Sequence, residues 1–512
     1  MSRMELPQQV AAGALRADTR ARGMLSHAKE TGWRQADLRG AILNGPILPT
    51  MLKLGLPTIV VLVVQTFVGI AETYFVSFLG TDALAGVALV FPVLMLMQMM
   101  SNGGIGGGVA SAVARALGSG RWEDANALAL HAVVLAAVLG LAFTAAQFIG
   151  GRALYRSLGG EADALAAALA YADVVFSGAI LVWIVSLLAA ALRGAGNAVV
   201  PAAVTFGGVF ILLPLSPALI FGWGPFPRLG IAGAGVAVVI YYLAAAAALV
   251  VYMRSSRSTL RLRLTLRCLE WRLFKDVLRV GALSAVGTVQ ANLTVVLITG
   301  AVGLFGTGAI AGYGIASRLD YLLIPLLFGL GTAALTMVGI NIGAGQLARA
   351  ERIAWIGAFL AAGFTEAVGL AVAIFPSAWL GLFTTDPSVL ATGALYLRIV
   401  APFYGLFGLG MLLYFAGQGA GRVLWPVLAG TIRLIIAAAI GWLVVAALGG
   451  GLGALFVTVA VATSAFGAIT AAALRFAGWK SAKPMAEPHA TGRQAMEGAA
   501  GSSAMGPSGR GQ

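Results

Sequence analysis

The side chains in this 512-residue chain most able to do chemistry are acids placed where acids are costly. Glu72 lies within the apolar stretch 56–87, and Asp173 lies within another such stretch further on. An ionisable group inside a membrane helix costs at least ~2.5 kcal/mol, so it marks a function and calls for a partner. A carboxylate in a low dielectric, with a second acid nearby and no base, takes up a proton or a small cation readily, which is what a cation-coupling site requires. Glu72 falls about 18 residues into its span and Asp173 about 8 into a span running the other way, so at 1.5 Å per residue both sit in the same half of the bilayer. The expectation is that they meet. The second half of the chain carries Arg318, Asp320, Glu366 and Arg398 at depth. Arg318 and Asp320 are two residues apart and do not face each other on one helix, so their expected partners are Glu366 and Arg398, in a self-neutralising network. Arg433 and His131 are nearer the ends of their spans, and both are expected to snorkel.

These groups are positioned by membrane helices. A chain that is 60% hydrophobic and only 10% charged is not a soluble domain, in which charged residues approach a quarter. Apolar runs of about 20 residues or more, each enough to cross the hydrocarbon core, follow one another from Leu54 to Phe476. They resolve into six spans and then six more, with 165–188 read as one of them. The two sets are copies. Gly80-Thr81-Asp82-Ala83-Leu84-Ala85-Gly86 returns as Gly306-Thr307-Gly308-Ala309-Ile310-Ala311-Gly312 (306 − 80 = 226), and Gly194-Ala195-Gly196 returns as Gly419-Ala420-Gly421 (419 − 194 = 225). An even number of spans per copy makes the repeat parallel. The expected architecture is an all-α polytopic membrane protein of twelve transmembrane helices in two parallel six-helix repeats. Its parts are an N-terminal arm (1–48), an N-lobe (49–253), a basic linker (254–280), a C-lobe (281–478) and a disordered tail (479–512).

Charge sets the orientation. Most of the 33 Lys and Arg residues fall in the arm, the linker, the tail and the loops on one side, whereas Arg152, Arg156 and Arg228 fall on the other. The positive-inside rule then places both termini in the cytoplasm. The linker is expected to lie on anionic headgroups, where each basic residue contributes about 1 kcal/mol. Without a recognition fold, the net charge of +14 does not imply nucleic acid. The single cysteine, Cys268, excludes internal disulfides. No apolar leader precedes residue 50, so no cleaved signal peptide is expected. The three histidines, His27, His131 and His489, are scattered and no metal-ligand motif appears, which argues against a polytopic membrane enzyme.

Met95, Gln98, Met99 and Asn102 recur at i, i+3, i+4 and i+7 and share one helix face. Flexible thioethers beside amides make a surface that repacks around varied ligands, so this face is a candidate substrate cavity. Gly103, Gly104, Gly106, Gly107 and Gly108 follow and permit close helix approach. Pro57, Pro92, Pro325 and Pro402 add distortions of the kind tolerated beside cavities.

Taken together, the residues resemble a known family. Leu56-Pro57, Glu72-Thr73, Leu79-Gly80 and Ala83-Leu84-Ala85 are similar to the signature of multidrug and toxic compound extrusion (MATE) transporters. So are Arg115 with Gly118-Ser119-Gly120, Leu192-Arg193-Gly194-Ala195-Gly196, Leu219-Ile220-Phe221-Gly222, the stretch from Ala311 through Arg318-Leu319, and Asn341-Ile342-Gly343-Ala344-Gly345. The resemblance implies two lobes around a central cavity, alternating access, and export of drugs and organic cations in exchange for H+ or Na+, with no other cofactor. It also implies that one chain suffices, in the inner membrane of a bacterium, among its lipids. Glu72 matches the family's first-span acid. The fifth span departs from the pattern, with Leu212 and Ser216 where many members carry Asn and Asp, which leaves Asp173 to stand in for the absent acid. Asn292 occupies the position of a seventh-span glutamate and joins Gln65 in the candidate substrate cavity. A lipid or oligosaccharide flippase of related fold is the alternative; it would want a more basic cavity.

Overall fold

The computed structural model describes residues 39–262 and 269–478. Most of the N-terminal arm, the linker residues 263–268 with Cys268, and the tail from 479 lie outside the described residues. Among those described there are helices and turns but no strand.

Among the described residues eleven helices are long and apolar enough to cross a membrane, and a bent pair, counted as one span, brings the number to twelve. We number the spans in chain order: α1 (Ile47–Ser77), α2 (Thr81–Gly118), α3 (Trp122–Ser157), α4 (Ala162–Ser177 with Ala179–Gly194), α5 (Val199–Phe221) and α6 (Ile231–Arg254). The second set is α7 (Trp271–Gly303), α8 (Thr307–Gly343), α9 (Leu347–Ile374), α10 (Pro387–Gly419), α11 (Leu424–Ala446) and α12 (Leu452–Phe476). The protein is a multi-pass membrane protein. The fourth span, expected to be continuous, bends by 50° at Gly178. Other spans are irregular too: a π segment at Met100–Gly104 interrupts α2, another at Ile435–Ile440 interrupts α11, and a third begins at Leu474 near the end of α12.

The duplication is visible in the backbone. Gly80 (φ 103°) and Gly306 (φ 97°) open α2 and α8 with the same left-handed turn, and Gly120 (φ 76°) and Gly345 (φ 77°) follow their ends. Such angles exclude most side chains, so the same residue recurs where the same turn is needed.

The buried apolar side chains form two large clusters, one built mainly from α2 to α7 and one mainly from α7 to α12. The first span belongs to both halves. Met51 and Leu54 at its start are buried in the C-terminal cluster, whereas Val76 at its end packs with Ala83, Ile220 and Ala234. The part of α2 from Ile105 to Gly118 is buried along its whole length, while the first part of α2 and the second part of α1 are largely exposed. The halves are therefore sealed against each other at the face that carries the linker.

Candidate functional site

Glu72 sits near the end of α1, one turn before Val76, which packs into the N-terminal half. Its Oε2 accepts a hydrogen bond from the Ser216 hydroxyl on α5 at 3.0 Å. Its Oε1 is buried and has no partner, and no basic side chain pairs with it among the described residues. Tyr171 of α4 is an ionisable neighbour. An acceptor buried without a donor costs roughly 1–3 kcal/mol, and a proton or small cation bound there would satisfy it. Ser216, which the sequence suggested was the place of a missing acid, is thus the one side chain holding this carboxylate.

Asp173 does not complete that site. It accepts from the Gln147 amide at 3.0 Å, and the Gln147 carbonyl accepts from the Tyr155 hydroxyl at 2.9 Å. Its partners come from α3 and are separate from those of Glu72. The expectation of one two-acid site is replaced by two single-acid networks.

The second-half network is also differently wired. Among the described residues no ion pair joins Arg318 or Arg398 to Asp320 or Glu366, and both arginines are exposed. Asp320 accepts from Tyr396 Oη at 2.8 Å through one carboxylate oxygen and from Tyr404 Oη through the other. Its positive neighbour is Arg433, which does not snorkel: the guanidinium lies 5.0 Å from the ring centre of Phe407 and 5.9 Å from that of Phe466. Glu366 has a structural role. The helix α10 breaks into a short 3-10 turn at Ala401–Phe403, and Glu366 accepts the freed N–H of Gly405 at 2.7 Å while the Thr365 hydroxyl donates to Tyr404 O at 2.9 Å. Tyr396, Tyr404 and Arg433 were missed because two tyrosines in apolar runs look like packing and an arginine near a span end looks like an anchor.

His131 does not snorkel either. It is fully buried, with Nε2 3.0 Å from Glu270 N and Nδ1 2.8 Å from Ala127 O. It pins the start of α7 to α3.

The amide and thioether face is only partly assembled. Asn292 Nδ2 reaches Met99 Sδ at 3.4 Å, joining α7 to α2, and donates to Thr288 O at 2.9 Å. Asn102 donates to Gln98 O at 3.2 Å, within the π segment that opens beside it. Met95 lies one turn before Met99 and is half-buried. Gln65 stands apart, on α1 beside the Tyr241 hydroxyl and Thr205. The described residues contain no cluster able to hold a metal through His, Cys, Asp or Glu ligands.

A family model described as MatE matches residues 57–218 and 284–443. Among curated proteins, the chain is 27% identical over 381 residues to a protein of Shewanella oneidensis named FAD transporter, covering 74% of this chain and 83% of the relative. It is 28% identical over 380 residues to the probable multidrug resistance protein NorM of Thermotoga maritima, covering 74% and 81%. The multidrug export protein MepA of Staphylococcus aureus is 23% identical, covering 76% and 86%. A solved MOP-superfamily transporter from Pyrococcus furiosus superposes with a TM-score of 0.76 at 24% identity, covering 84% of this chain and 95% of that one. A MATE structure in a bent conformation superposes at 0.77 and 23% identity, covering 91% and 99%.

Proposed function

The chain belongs to the MatE family, whose members are transporters and not enzymes, and on that premise we propose that it is a secondary active exporter of organic compounds in which Glu72 binds the coupling ion. The observation that carries the proposal is the buried, unpartnered Oε1 of Glu72, a half-buried acid with one hydroxyl donor and no base among the described residues. H+ or Na+ entering from the face opposite the linker, where α1 and α2 are exposed, would neutralise it. Neutralisation favours the state that releases the exported compound, and loss of the ion to the linker side resets the site. One charge crossing 100 mV supplies about 2.3 kcal/mol for this exchange. The positive-inside pattern puts both termini in the cytoplasm, and the two halves act as lobes of one functional monomer, with Met95, Gln98, Met99, Asn102 and Asn292 facing the exported compound.

The test is efflux of a fluorescent organic cation from everted vesicles under an imposed proton gradient or an imposed sodium gradient, for wild type and Glu72→Gln. Transport driven by one gradient and lost in the variant is the expected result. Equal transport by the variant would sink the assignment of Glu72. Competition by flavin adenine dinucleotide is a further arm, since one relative carries that name and the amides beside Met99 are uncharged hydrogen-bonding groups suited to a heteroaromatic edge.

A further inference from the structure

At the linker face, one guanidinium holds three helices from the two halves together. Arg115, near the end of α2, donates to Asp276 Oδ1 of α7 at 2.8 Å, to Ser111 Oγ on its own helix, and at 3.5 Å to Gly419 O, the last residue of α10. The Ser111 hydroxyl in turn donates to Gln418 O. The last carbonyls of a helix lack intrahelical donors and carry the negative end of its dipole, so a buried cation there is favoured twice. The guanidinium is 10% exposed, which makes its loss costly and its contacts specific.

On both sides of this cluster the backbones touch. A Cβ at Gly108 would lie 2.5 Å from Val277 O, and one at Gly118 would collide with Ile340 O. Gln418 connects the cluster to the interior. While its own carbonyl accepts Ser111, its side-chain Nε2, with two N–H groups to give, lies 3.1 Å from Gly103 O in the π segment of α2, 2.9 Å from Ser284 Oγ of α7 and 3.0 Å from Tyr414 Oη. A shift of the π segment beside Asn102 therefore strains the same residue whose backbone anchors the Arg115 cluster.

We propose that Arg115 and Asp276, closed on the end of α10 and tied through Gln418 to the π segment, form the linker-side gate that opens once per transport cycle. Arg115 and Asp276 are positioning residues: they touch no transported compound, and they set which face of the cavity is open. The proposal rests on the transporter reading for its purpose, but its test reads access and not transport.

The test uses Ala285→Cys, a buried position on α7 that makes none of the gate's hydrogen bonds, in a Cys268→Ser background. Labelling by a membrane-impermeant maleimide is timed in membrane vesicles oriented so that the linker is accessible to protease. The parent is expected to label slowly, and Arg115→Gln or Asp276→Asn at least tenfold faster. The double variant is expected to label no faster than Arg115→Gln alone, because both substitutions break one contact. Tm measured on each protein separates gate opening from unfolding, and Asp276→Asn carries the test if Arg115→Gln does not fold. Unchanged labelling in folded single variants, or rate increases that multiply in the double variant, would overturn the proposal. Absence of efflux with accelerated labelling would count against the exporter reading and leave the gate standing.

Discussion

The two halves keep a tyrosine in the same place and an acid in different places. Tyr171 of α4 and Tyr396 of α10 are equivalent under the repeat (396 − 171 = 225), and each faces the acid of its own half. Yet Glu72 is on the first helix of its half, where the other copy has the buried Ile298 (298 − 72 = 226). Asp320 is on the second helix, where the first copy has Leu94 (320 − 94 = 226). The surroundings differ as well. Asp320 has two hydroxyl donors and a cation close by, whereas Glu72 has one hydroxyl and an empty oxygen. The same scaffold thus presents one acid that is already compensated and one that has to find its counter-charge outside the chain. On the proposed function, an incomplete set of partners, and not burial alone, is what marks an acid able to take a coupling ion.

The largest effect expected from this asymmetry separates activity from stability. Glu72→Gln should abolish gradient-driven efflux, a fall of at least about 100-fold or roughly 2.7 kcal/mol, while Tm in detergent stays close to wild type. Asp320→Asn should do the reverse, weakening the hydrogen bonds from Tyr396 and Tyr404 and destabilising the protein by roughly 1–3 kcal/mol. The pairing is sharpened by the double variant Asp320→Leu/Arg433→Leu, which should be closer to wild-type stability than either single replacement. A smaller effect distinguishes the equivalent tyrosines. Tyr396→Phe removes a donor from a full set and should cost about 1–2 kcal/mol, whereas Tyr171→Phe should change the concentration of ion that half-saturates transport and leave Tm alone. Equal losses of stability in the two would break the comparison.

The smallest effect lies outside the spans. Glu161 and Asp386 are equivalent N-cap positions of α4 and α10 (386 − 161 = 225), but only Asp386 caps, accepting from the Ser388 hydroxyl and from the N–H groups of Ser388 and Val389. Those bonds hold its carboxyl below the usual range. Its stabilisation is therefore present above the unfolded carboxyl's titration and is lost as pH falls through the lower folded value. Asp386→Ala should lower Tm slightly at neutral pH and not at strongly acid pH, and Glu161→Ala should do neither.

The spans, the duplication and the placement of Glu72 within a span were legible from residue types alone, because apolar length and an acid inside an apolar run are properties of the chain itself. The partners were not. Ser216 is 144 residues from Glu72, and nothing in its neighbourhood of Pro214 and Pro217 distinguishes a donor from an ordinary kink. Pairing Arg318 and Arg398 with Asp320 and Glu366 followed charge and depth, but the direction in which each side chain leaves its helix decides contact. That direction turned both arginines outward and Arg433 inward. The 50° bend of α4 likewise left no mark beyond Gly178, since its packing partner Val239 is on another helix.

The π segment of α2 also bears on the ancestry of the chain. The offset between copies is 226 as far as Leu94 within this helix and 225 from Gly120 onward, and α2 has 38 residues against 37 in α8. A π turn accommodates one residue more than the α-helix around it, so Met100–Gly104 accounts for the one-residue difference between the copies. Removing that residue would straighten the helix and rotate Arg115 by roughly 100° relative to Gln98. The insertion is thus what allows one helix to present its amides to the interior at one end and its guanidinium to the opposite half at the other.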